Sequence, residues 1–128
     1  MTNPAHETVL YIDDDPDDQE FFVTALSASR PDVKCYVAKD SHSALEIIET
    51  IPAPKIIFID LHLPRVNGIE LLRKLKTIDG FALIPTYILS STLFEPYAQM
   101  IKELGGSGFL KKPASLNDFK VMFDAVLN

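Results

Sequence analysis

The sequence predicts a doubly wound α/β domain, (βα)5, with one five-stranded parallel sheet covered by helices on both faces. Three observations carry that prediction. Short apolar runs, β-branched or aromatic in the main, alternate with longer segments whose apolar residues fall three and four apart. Turn and cap residues sit at the joints between the two kinds of segment. The length of 128 residues suits a single domain, whereas a closed eight-fold barrel needs about 250 residues.

The strands are expected at Thr8–Ile12, Val33–Ala38, Ile56–Ile59, Thr86–Leu89 and Gly108–Leu110. Between and after them, Phe22–Leu26, Ala44–Ile48–Ile51, Leu71–Leu72–Leu75–Ile78, Tyr97–Ile101–Leu104 and Leu116–Phe119–Phe123–Val126 each mark the buried face of a helix. Pro16 after an aspartate, Asp40–Ser41, Pro96 and Ser115 signal helix starts, and the Asn67–Gly68 turn opens the third helix. Gly80 and Gly105–Gly106 signal stops. A βα repeat of this kind buries its parallel sheet on both faces, and right-handed crossovers aim every strand's carboxyl end at one edge.

Composition excludes several classes of function. With 12 Lys+Arg against 18 Asp+Glu the net charge is −6, and a pI near 4.9 argues against coating nucleic acid by bulk charge. The longest apolar run, around Ile56–Ile59, is far short of the ~20 residues a membrane span requires. Thr2 to Thr8 is polar and shows no signal peptide, and the single Cys35 fits a reducing, cytoplasmic setting.

Ligands of doubly wound sheets bind beyond the carboxyl ends of the strands. The first strand runs into Asp13–Asp14–Asp15, the third into Asp60, the fourth into Ser90–Ser91–Thr92 and the fifth into Lys111–Lys112–Pro113. Carboxylates gathered at one rim repel, so a proton or a cation must share the site. Hard oxygen ligands with access to water suit Mg²⁺. A lysine and a hydroxyl beside them complement an anion, a combination suited to phosphoryl transfer.

These residues carry a resemblance. The stretches Tyr11–Ile12–Asp13–Asp14–Asp15–Pro16, Ile59–Asp60–Leu61–His62–Leu63–Pro64 with Asn67–Gly68, Ile88–Leu89–Ser90–Ser91 and Gly108–Phe109–Leu110–Lys111–Lys112–Pro113 are similar to the receiver domain of two-component response regulators, the CheY-like type with a flavodoxin-like fold. The match spans essentially the whole chain, read as one receiver over residues 1–128 with no output domain.

The resemblance implies that Asp60 is the phosphoacceptor. It also implies Asp14 as a direct Mg²⁺ (or Mn²⁺) ligand, Asp13 acting mainly through a metal-bound water, and the His62 backbone carbonyl completing the set. Ser90 would hydrogen-bond the phosphoryl group, Lys112 would pair with it, and the Phe109 rotamer would report the phosphorylated state. Pro64, Gly68 and Pro113 would shape the site, with Lys112–Pro113 as a cis peptide bond. Implied partners are a histidine kinase or a histidine phosphotransfer protein, and a downstream protein that reads the face of the fourth helix, fifth strand and fifth helix. The oligomeric state is left open.

Each residue also has a plainer explanation. Asp13 to Asp18 could cap a helix and complement its dipole, and Asp15, Asp17 and Asp18 are read that way. Asp60 alone could make an Asx turn, Lys112 alone a solvated strand end, and Cys35 a small hydrophobe. His6 and His42 show no metal-ligand spacing. Two competing functions are a haloacid-dehalogenase-type phosphatase with Asp13 as nucleophile and Asp15 as general acid, and a non-phosphorylated pseudo-receiver. An EF-hand reading of Asp13–x–Asp15–x–Asp17 fails because Asp18 stands at position six.

Overall fold

The computed structural model describes residues 7–127, so His6 and the polar stretch before Glu7 lie outside the described residues. The chain alternates β1 (Thr8–Ile12), α1 (Pro16–Ser29), β2 (Lys34–Ala38), α2 (Ser41–Ile47), β3 (Ile56–Asp60), α3 (Gly68–Leu75), β4 (Thr86–Ser90), α4 (Glu95–Glu103), β5 (Gly108–Lys111) and α5 (Leu116–Val126). The strands form one parallel sheet in the order β2-β1-β3-β4-β5. The chain moves outward from β1 to β2, then crosses back to β3. The switch point therefore lies between the carboxyl ends of β1 and β3, where an open sheet leaves a crevice.

Strand alternation divides the core in two. Leu10, Ile12, Ile57, Ile59 and Ile88 face an aliphatic cluster with Ala44 of α2, Leu71, Leu72 and Leu75 of α3, and Ile101 of α4. Val9, Tyr11, Ile56, Phe58 and Leu89 face the opposite side, against Phe22, Ala25 and Leu26 of α1 and Phe119 and Phe123 of α5. The second cluster is aromatic at its centre. Phe22 stacks on Tyr11 at 3.8 Å between ring centroids and meets Phe58, Phe119 and Phe123 edge-on.

Four helices begin on a side chain that accepts a hydrogen bond from the first turn: Asp15, Asp40, Asn67 and Ser115. Helix α4 ends in a Schellman turn, with Gly105 at φ +91°. The Gly106 amide donates to the Ile101 carbonyl at 2.8 Å and the Gly105 amide to that of Lys102 at 3.0 Å.

The elements depart from expectation at their ends. Helix α2 stops at Ile47 rather than reaching Ile51, because Pro52 pushes the residue before it toward extended backbone. Helix α3 stops at Leu75. The Thr77 hydroxyl donates to the Lys74 carbonyl at 2.7 Å, and Ile78 packs on the core from outside the helix. Strands β3, β4 and β5 each run one residue further than apolar character indicates, into Asp60, Ser90 and Lys111. Among the described residues no helix is long and apolar enough to cross a membrane.

Candidate functional site

The sheet's alternation decides which side chains meet. Asp60 follows Ile56 and Phe58 in parity, Asp13 follows Val9 and Tyr11, and Lys112 follows Leu110, so all three lie on the α1/α5 side. Parallel register pairs Ile12 with Ile59, which makes Asp13 and Asp60 the next neighbours along β1 and β3. Backbone bonds hold the strand ends in place, from the Asp13 amide to the Ala38 carbonyl at 3.0 Å and from the Lys112 amide to that of Ser90 at 2.8 Å.

The result is a cluster of charge around one ammonium. Lys112 Nζ lies 2.9 Å from Asp13 Oδ2, 2.8 Å from Asp18 Oδ2 and 3.4 Å from Asp60 Oδ2. Asp13 is fully buried. Its Oδ2 also accepts from the Tyr11 hydroxyl, and its Oδ1 accepts from the Asp15 amide at 3.0 Å. Gln19 Nε2 donates to the Asp13 carbonyl at 2.5 Å. Asp60, 5% exposed, accepts from the His62 amide at 3.3 Å.

Electrostatics follow from that crowding. Burial, and then the neighbouring Asp13 charge, push the Asp60 carboxyl up to about 6, against the opposing pull of Lys112 and the His62 amide. Burial alone would depress Lys112, but hydrogen bonds to Asp18 and Asp13 and the nearby carboxylate charges outweigh it and hold the ammonium above its ordinary range. The Tyr11 phenol is raised far above its usual value by burial and by its bond to Asp13, so it serves as a donor.

Oxygen atoms of Asp13, Asp14 and Asp60 lie within 4.8 Å of one another. With Asp18, which pairs with Lys112, the rim holds four carboxylates and one lysine, an excess of negative charge that suits a divalent cation. The donor set is all hard oxygen, and exposed Asp14 leaves the mouth open to water. These residues fit Mg²⁺ or Mn²⁺.

The remaining expected residues are placed as follows. Ser90 is buried at the end of β4, where it shares the parity of Ile88 and so faces the α3/α4 side; its hydroxyl donates to the Thr92 carbonyl at 2.8 Å. Phe109 is half-buried against the aliphatic cluster and meets Tyr97 edge-on at 6.4 Å. The His62 and Pro64 side chains are exposed. Gly68 is buried, and a Cβ there would stand 2.5 Å from the Asp60 carbonyl oxygen. Its role is thus close approach of α3 to the end of β3.

One expectation is corrected. No cis peptide bond occurs among the described residues, so Lys112–Pro113 is trans, the lower-energy isomer by about 0.5–1 kcal/mol. The Lys112 amide stays in the sheet ladder and its ammonium reaches Asp13 with the trans bond in place.

Sequence reading also missed two partners. The sequence reads Asp18 as a first-turn helix residue, yet it pairs with Lys112 across 94 positions, and no local pattern encodes so distant a contact. Tyr11 has no role of its own in the sequence reading, although strand parity two residues before Asp13 puts its hydroxyl beside that carboxylate.

Comparison with known proteins agrees with this geometry. The family model described as "Response regulator receiver domain" matches residues 9–124. The chain belongs to that family. The receiver is 34% identical over 124 residues to the two-component response regulator ORR11 of Oryza sativa subsp. indica, covering 97% of this chain and 82% of that protein. It superposes on the bacteriophytochrome response regulator AtBRR with a TM-score of 0.77 at 30% identity, covering 97% and 92% of the two chains. The Mn²⁺-bound form of the response regulator Rcp1, a protein of Synechocystis, gives 0.79 at 25% identity over 94% and 91%. The chain is a receiver domain of two-component signalling.

Proposed function

We propose that this receiver accepts a phosphoryl group on Asp60 from a phosphohistidine of a histidine kinase or a histidine phosphotransfer protein. The donor's P–N bond breaks with its electrons returning to the imidazole, and an Asp60 carboxylate oxygen forms the new P–O bond. One observation carries the reading: Asp13 and Asp60 converge within 3.4 Å of the Lys112 ammonium at the sheet's switch point. Asp13 suits the phosphatase alternative poorly, because it is fully buried and both of its carboxylate oxygens are already bonded.

Asp14 and Asp60 would hold Mg²⁺ or Mn²⁺ directly, Asp13 through water, with the His62 carbonyl as a further ligand. When bound, the ion supplies positive charge to the acceptor carboxylate and the phosphoryl oxygens. Lys112 pairs with the phosphoryl group electrostatically. The Ser90 hydroxyl leaves the Thr92 carbonyl to donate to it. That movement opens space for Phe109 to turn inward, and the face of α4, β5 and α5 changes shape for a downstream protein. The setting is the cytoplasm, with protein partners.

The test is intact mass after incubation with acetyl phosphate and Mg²⁺. An adduct of about 80 Da that disappears in Asp60→Asn is expected, corresponding to one added phosphoryl group. No adduct, or one that survives the substitution, overturns the assignment; an adduct on Asp13 points to the phosphatase chemistry.

A further inference from the structure

Lys112 has three carboxylate neighbours, and the one it holds most closely is outside the expected site. Asp18 sits in the first turn of α1, with its side chain 38% exposed at the rim, and its Oδ2 is 2.8 Å from Nζ. Asp60 Oδ2 is 0.6 Å further away, at 3.4 Å. Asp13 Oδ2 accepts a second hydrogen bond from the ammonium at 2.9 Å. An ammonium has three protons and a flexible stem, so it can exchange one carboxylate for another without moving the backbone.

We propose that Asp18 is a positioning residue that retains Lys112 in the unphosphorylated receiver and must release it when Asp60 carries a phosphoryl group. The inference rests on the reading of Asp60 as acceptor. Two anions compete for one cation: the Asp18 carboxylate in the resting state, and the phosphoryl oxygens after modification. Asp18 thereby sets the threshold of the switch, and its release returns an unpaired carboxylate to the surface of α1. Charge-assisted pairs of this kind are strong where one partner is desolvated, and Lys112 has a side-chain exposure of 15%.

The experiment compares the wild type with Asp18→Asn, Asp18→Glu and Asp17→Asn. Asp17 lies in the same first turn and is exposed, so Asp17→Asn removes the same charge without touching Lys112. Two quantities are read. The first is the ammonium NMR signal of isotope-labelled Lys112 in metal-free protein, assigned by its loss in Lys112→Arg. The second is the half-saturating concentration of beryllofluoride, a stable phosphoryl stand-in, at fixed excess Mg²⁺. Asp18→Asn is expected to shift the lysine signal and to tighten beryllofluoride binding roughly three- to tenfold. Asp18→Glu should restore both, and Asp17→Asn should change neither. Binding to the wild type that Asp18→Asn alters by less than about twofold, an unmoved lysine signal, or an equal effect from Asp17→Asn overturns the inference alone. Failure of the wild type to bind beryllofluoride overturns the acceptor reading beneath it.

Discussion

Asp60 shows how a single residue links the site to the stability of the fold. Its folded value of about 6 lies above the value near 3.9 expected in the unfolded chain. Folding therefore opposes the ionised form. The penalty is absent below about pH 4, grows between pH 4 and 6, and is complete above that. Screening at the open side of the mouth limits it to on the order of 1–2 kcal/mol. In metal-free buffer Asp60→Asn is accordingly expected to be more stable than the wild type at pH 7.5 and equal to it at pH 4. Urea midpoints with unchanged m-values check this, and a gap that ignores pH would falsify the stated cause.

Among the elements, two glycines do different work. At Gly68, the first residue of α3, an added methyl would strike the Asp60 carbonyl oxygen at 2.5 Å and the Leu61 Cα at 3.0 Å, both backbone atoms. Alanine normally favours a helix over glycine, but here the clash wins. Gly68→Ala should cost about 2–3 kcal/mol and lower phosphoryl acceptance by displacing the end of β3. Gly105 meets only the flexible Lys76 stem, at 3.8 Å, but its φ is +91°. Gly105→Ala should cost about 1 kcal/mol and leave acceptance intact, and Gly105→Asn should recover part of that loss. Chemical denaturation paired with the mass assay separates the two glycines.

At the scale of the whole molecule, a cation that binds only the folded site adds stability. Saturating Mg²⁺ is expected to raise the unfolding temperature, by about 2.7 kcal/mol of stabilisation at a hundredfold excess over Kd. Chelation should reverse the gain and Asp14→Asn should abolish it; calorimetry with and without chelator checks both.

Much of this architecture was legible because a parallel sheet buried on both faces writes its strands as unbroken apolar runs, as Ile56–Ile59 does. The rim was legible because each run ends in a polar group. The parts that were missed depend on the third dimension or on local competition. The pairing of Asp18 with Lys112 joins two elements packed far apart in sequence, and Thr77 ends α3 through a hydroxyl that periodicity ignores. The trans Lys112–Pro113 bond departs from a feature borrowed from the family rather than read in the residues.

The sheet's alternation has one more consequence. Asp13, Asp60 and Lys112 stand on one side of the β-sheet, while Ser90 and Phe109 belong to the other. Under the proposed assignment the central strands are a partition, with the acceptor and its lysine on one bank, the Phe109 ring on the opposite one, and Ser90 at the tip of β4 as the crossing. Truncating Phe109 should then yield molecules that still load phosphate but stay mute, a separation of charging from signalling built into a two-residue repeat.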